Sequence, residues 1–83
     1  MRNKFDIQKR KMLGAKLKQA RLEIELSQSQ VAKLLNKSQD YISRSETGFR
    51  RVDIFELNEF AKLYKKDITI FLDYSKLDLW GDD

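Results

Sequence analysis

The spacing of apolar residues predicts helices along most of the chain. At ~100° per residue, Leu13, Leu17, Ala20 and Ile24 fall on one narrow face, with Lys11, Lys16, Lys18 and Gln19 elsewhere on the surface. This predicts a first helix from about Lys9 to Ile24, preceded by a basic, weakly patterned extension over residues 1–8. Ser27 followed three residues later by Gln30 fits a capping box, in which each side chain satisfies a free backbone N–H at a helix start. The second helix then buries Val31, Ala32, Leu34 and Leu35, and Asn36 suits the left-handed conformation that ends a helix. After Lys37 alone, Ser38 is placed to cap a third helix, Gln39 to about Thr47, which Gly48 closes.

Two short helices joined by so tight a turn cannot lie antiparallel; they cross steeply, the geometry of a helix-turn-helix. A fourth helix starts at Asp53, with Glu56 completing a second capping box and Leu57, Phe60, Ala61 and Tyr64 forming its core face. Asp67 is a candidate cap for a short fifth helix carrying Ile68, Phe71 and Leu72. The expected architecture is therefore all-α, five helices with no sheet.

Composition narrows the chemistry. The 83 residues suit a single domain; with no Pro, three Gly and an abundance of Leu and Lys, they favour helices. No Cys and no His are present, which removes disulfides, thiolate ligands, and the commonest general base and metal ligand. With no acidic pair at metal spacing and no Gly-rich phosphate loop, neither an enzyme, a metal site nor a cofactor is expected. No apolar run approaches the ~20 residues of a membrane span, and the start MRNKFDIQKRK is too polar for a signal peptide, so a cytoplasmic protein is expected. The net charge of +4 is uneven: through Val52 there are 13 Lys and Arg against five Asp and Glu, and from Asp53 onward four against eight. This asymmetry suits a protein that turns one face to a polyanion, although a merely solvated basic surface accounts for the charge equally well.

The third helix carries the candidate chemistry. Gln39, Asp40, Ser43 and Arg44 cover one arc of ~140°, opposite Tyr41, Ile42 and Ser45. Gln can bond adenine in bidentate fashion, Arg can bond guanine N7 and O6, and Asp can accept from the cytosine amino group. An ordinary exposed face reads the same way from this helix alone. Gln28 opens the second helix, where an amide and free N–H groups can hold phosphate, and Arg50 and Arg51 follow the Gly48 turn.

The stretch LGAKLKQARLEIELSQSQVAKLLNKSQDYISRSETGFRRVDIFELNEFAKLYKKDITIFL, Leu13 to Leu72, resembles the phage repressor/Cro-like helix-turn-helix family, also called the xenobiotic-response-element (XRE) family. LGAKLKQAR, LSQSQVAKLL and SQDYISRSETG with RRVD following carry the resemblance, in order and at family spacing. It implies a compact lambda-repressor-like domain of five helices whose third helix enters the major groove of double-stranded DNA. The family's base-reading positions fall on Gln39, Asp40, Ser43 and Arg44. Its phosphate contacts fall on Gln28, Thr47, Phe49 (through the backbone), Arg50 and Arg51, and its partly buried ion pair on Arg21 and Glu46. Members bind as homodimers on near-palindromic operators. Three departures stand out. Glu25 and Lys65 replace the glycines that end the first and fourth helices, so both need positive φ or altered turns, and Ser45 replaces an apolar residue.

These readings divide the chain into an extension at 1–8, a helix-turn-helix DNA-binding domain at 9–72 and a tail at 73–83. The expected function is sequence-specific transcriptional regulation, repression before activation; the alternative is an antitoxin or protein-binding antagonist on the same scaffold. The tail places Tyr74, Leu77 and Trp80 where the family core is already complete, so they are expected to join Phe71 and Leu72 in a dimer interface. Folding back over the fourth and fifth helices, or disorder, are the alternatives for that tail.

Overall fold

The computed structural model describes residues 4–73. Four α-helices, α1 (Lys4–Glu23), α2 (Gln28–Leu35), α3 (Gln39–Thr47) and α4 (Ile54–Tyr64), precede a 3-10 helix at Ile68–Leu72; no strand occurs among the described residues. The expected fifth α-helix is thus a 3-10 turn. Its sequence, Ile-Thr-Ile-Phe-Leu, opens on three β-branched residues in a row, and five residues are too few for helix propagation to offset their lost rotamer freedom. The turn is held from outside. Asp67 accepts from the Thr69 N–H (2.9 Å), and the Lys16 ammonium donates to the carbonyls of Ile70 (2.8 Å) and Asp73 (2.7 Å).

The first helix begins at Lys4, more than a turn before the expected Lys9, and ends at Glu23, leaving Ile24 outside it and 37% exposed. Glu25 takes φ 58°, and the Leu26 N–H returns to the Arg21 carbonyl (3.3 Å), closing the helix as glycine would. Lys65 does the same for α4, with φ 58° and the Lys66 N–H on the Ala61 carbonyl (2.9 Å). Both boxes close as spaced: Ser27 with Gln30, and Asp53 with Glu56.

The core gathers Leu13, Leu17 and Ala20 from α1, Val31 and Ala32 from α2, Ile42 from α3, four residues of α4, and Phe71. Phe60 stacks between Tyr41 and Tyr64, with ring centroids 6.1 and 5.8 Å away. Two apolar expectations fail. Leu34 is 61% exposed, because it lies ~105° from the middle of the arc set by Val31, Ala32 and Leu35, and α2 packs on one side only. Phe71, expected in a dimer interface, is fully buried in its own chain and offers nothing to a second copy, whereas Leu72 remains exposed. The other residues of that expectation, Tyr74, Leu77 and Trp80, lie outside the described residues.

Candidate nucleic-acid interface

The turn between α2 and α3 is built by local chemistry. Asn36 adopts φ 58°, the Lys37 N–H bonds back to the Ala32 carbonyl (2.8 Å), and Ser38 Oγ accepts from the Tyr41 N–H (3.0 Å). At the other end of α3, Gly48 takes φ 82°, and the N–H groups of Phe49 (3.0 Å) and Arg50 (3.2 Å) converge on the Arg44 carbonyl. Two glycines let α1 and α3 touch. A Cβ on Gly14 would stand 2.3 Å from the Glu46 carbonyl oxygen, and one on Gly48 would stand 2.8 Å from the Lys11 backbone nitrogen. Sequence patterning gave no reason to single out Gly14; only the neighbouring backbone of α3 explains it.

A buried ion pair sets the orientation of α3. Arg21 donates through Nε to Glu46 Oε2 (2.6 Å) and through Nη2 to Oε1 (3.0 Å), while its Nη1 serves the Leu26 carbonyl (2.8 Å). The hydrogen bond to Glu46 raises the Arg21 pKa against the opposing effect of burial. Gln28 joins this cluster, donating its amide to Glu46 Oε1 (3.0 Å). The side-chain amide that was expected to meet phosphate is therefore turned inward, because a buried carboxylate is the stronger acceptor within reach.

Arg50 departs from expectation in the same way. It donates to Glu56 Oε2 (3.0 Å) and Ser45 Oγ (3.3 Å) and lies 4.2 Å over the Tyr41 ring, so it fastens α3 to α4 rather than facing outward. The polar Ser45 now has a reason: buried, it donates to the Tyr41 carbonyl (2.7 Å) and accepts from Arg50. Burial alone would raise the Glu56 pKa, but Arg50 and the Asp53 N–H hold the carboxyl below its ordinary range. Burial pushes the Tyr41 hydroxyl up to about 12. Phe49 likewise spends its backbone N–H on Arg44 and does not present it to a phosphate.

What faces solvent is the remaining set. Gln39, Asp40 and Arg44 are exposed and Ser43 is half-buried, while Ile42 and Ser45 on the opposite side, and Glu46 at the edge between the two faces, are buried. The Ser29 hydroxyl bonds Gln39 Oε1 (3.1 Å), and Arg44 pairs with Asp40 (2.8 Å), so the polar face is ordered before any ligand arrives. Thr47 is exposed, its hydroxyl on the Arg44 carbonyl (3.3 Å). Arg51 is exposed and pairs with Asp6 (3.0 Å) beside Lys9 and Arg10, in a shallow depression also lined by Leu13 and Val52. Lys9, Arg10 and Lys11 thus flank the C-terminal end of α3. Sequence reading placed them on the first helix but gave no reason to set them beside α3; the contact of Arg10 and Lys11 with Gly48, and of Lys9 with the Arg51 depression, does so.

Among the described residues no cluster of ligating side chains could hold a metal ion, and no helix is long and apolar enough to cross a membrane. Comparison with curated proteins gives no match to this chain. A helix-turn-helix domain family model, however, matches residues 12–67, a span that begins inside α1 and takes in α2, the turn, α3, the Arg50 fastening and all of α4. With that match over two-thirds of its length, and the α2–turn–α3 geometry just described, the chain belongs to the helix-turn-helix domain family, consistent with its XRE/Cro-like resemblance.

Proposed function

We propose that this protein is a sequence-specific regulator of transcription, a repressor, that reads the major groove of double-stranded DNA with α3. The observation that carries the reading is the face of α3. Gln39, Asp40 and Arg44 are exposed together, held in place by Ser29 and by one another, on a helix locked to its scaffold by a buried ion pair. Arg51 and Thr47, with Lys9, Arg10 and Lys11 beside them, supply cations and a hydroxyl for flanking phosphates, the groups that position such a helix without reading sequence. Two copies on a near-palindromic operator, in the cytoplasm, complete the proposal; Leu72 and the residues of the tail, Tyr74, Leu77 and Trp80, form the proposed interface.

Selection from random duplex DNA tests it. The wild-type chain enriches a defined site, and Arg44→Ala and Gln39→Ala each lose ~1–3 kcal/mol of preference at one base pair while remaining folded. A pool that stays random, or variants with the wild-type preference throughout, refutes the reading.

A further inference from the structure

Phe49 is a large apolar side chain left 68% exposed on the turn after α3, although its neighbours Gly48 and Arg50 are drawn into the structure. It is fastened twice to one residue. Its N–H bonds the Arg44 carbonyl (3.0 Å), and its ring lies under the Arg44 guanidinium, 4.8 Å from centroid to the central carbon. The Arg44 Nε also lies 2.8 Å from Asp40 Oδ2, in an ion pair with the residue one turn earlier on α3. The two terminal nitrogens, the forked edge that suits the paired acceptors of guanine, lie at the far end of the guanidinium from Nε and its Asp40 partner.

We infer that Phe49 is a positioning residue for base recognition: its ring and the Asp40 carboxylate clamp Arg44 so that the free edge of the guanidinium is presented to a guanine. This rests on the proposed reading of α3 and adds a specificity element outside the helix itself. An arginine free to swing meets phosphate and base edges alike; a stacked one has already lost that freedom, so less is lost on docking. The ring acts through its π face, so shape alone does not replace it.

The test is a double-mutant cycle read as discrimination, not affinity. Short labelled duplexes carry the site selected by the wild-type chain, and the base pair at which Arg44→Ala loses its preference is replaced by each alternative. Arg44→Ala lowers discrimination there by about 5- to 150-fold. Phe49→Ala and Phe49→Leu each lower it by about two- to fivefold, Phe49→Tyr retains it, and in the Arg44→Ala background none of the three has an effect. A Leu variant that discriminates as well as Tyr overturns the inference. So does a loss that persists without Arg44, which would mean that the ring touches a base, such as a thymine methyl, on its own account. If the wild-type chain selects no site, or Arg44→Ala keeps every preference, the proposed function fails first and takes the inference with it.

Discussion

Arg21 and Glu46 are 25 residues apart in sequence, yet they share two hydrogen bonds, with side chains only 8% and 2% exposed. Such a pair adds little net stability, since taking two charges out of water offsets most of their attraction; removing one partner is different, because it strands the other. Arg21→Ala leaves the Glu46 carboxylate buried with only the Gln28 amide, and Gln28 cannot supply a charge. Unfolding in urea should show a loss of ~3–5 kcal/mol for Arg21→Ala, well above the loss for Arg51→Ala, whose ion pair is exposed. Similar midpoints for the two variants would show that the buried pair does not anchor α3. The pairing of these two positions was an expectation from the family resemblance, not from the apolar pattern. The bidentate geometry, and Gln28 as its third member, came only from the folded chain.

Between elements, the spacing of α1 and α3 depends on Gly14, whose added Cβ would meet carbonyl atoms of Ser45 and Glu46 rather than a movable side chain. In an isolated helix Gly14→Ala would be favourable. Here it pushes α3 away, and a melting temperature lower by about 5–20 °C is expected, from ~1–3 kcal/mol of overpacking in a domain of this size. An unchanged or higher melting point would mean that the helices separate freely at this point. The junction of α3 with α4 rests instead on Arg50 and Glu56. Because the folded state lowers the Glu56 pKa, its contribution is full above the unfolded value near 4.5 and is lost as pH falls through the folded one. The stability gap between the wild-type chain and Glu56→Gln should therefore stay constant from neutral pH to about 5 and shrink below about 4.5. A gap independent of pH would count against the ion pair.

Across the whole molecule the basic portion through Val52 contains every proposed DNA contact, and the acidic portion from Asp53 adds Leu57, Phe60, Ala61, Tyr64 and Phe71 to the core. Affinity for the selected site should fall with salt at roughly −0.9 in log–log slope for each phosphate neutralised. Deleting Tyr74 to Asp83 tests the proposed dimer at this scale. The truncated chain should sediment as a folded monomer, bind one half-site weakly and lose cooperative binding to the full operator. Dimers of native affinity after truncation would move the interface elsewhere, with the exposed pair Ile54 (53%) and Phe55 (78%) at the start of α4 the next place to look.

The sequence by itself determined what depends on neighbours within a turn: the caps at Ser27, Ser38, Asp53 and Asp67, the left-handed stop at Asn36, and the polar arc of α3. Those bonds span two to four residues, so spacing and residue type suffice to find them. Tertiary structure decided where long polar side chains go. Gln28 and Arg50 were expected to face phosphate, and each turned inward because a carboxylate from another position, Glu46 or Glu56, lay within 3.0 Å. It also decided that Phe71 belongs to the core, that Gly14 must stay small, and that Arg10 and Lys11 stand beside the end of α3. No local pattern carries that information, because each outcome depends on what a distant stretch of chain places opposite the residue.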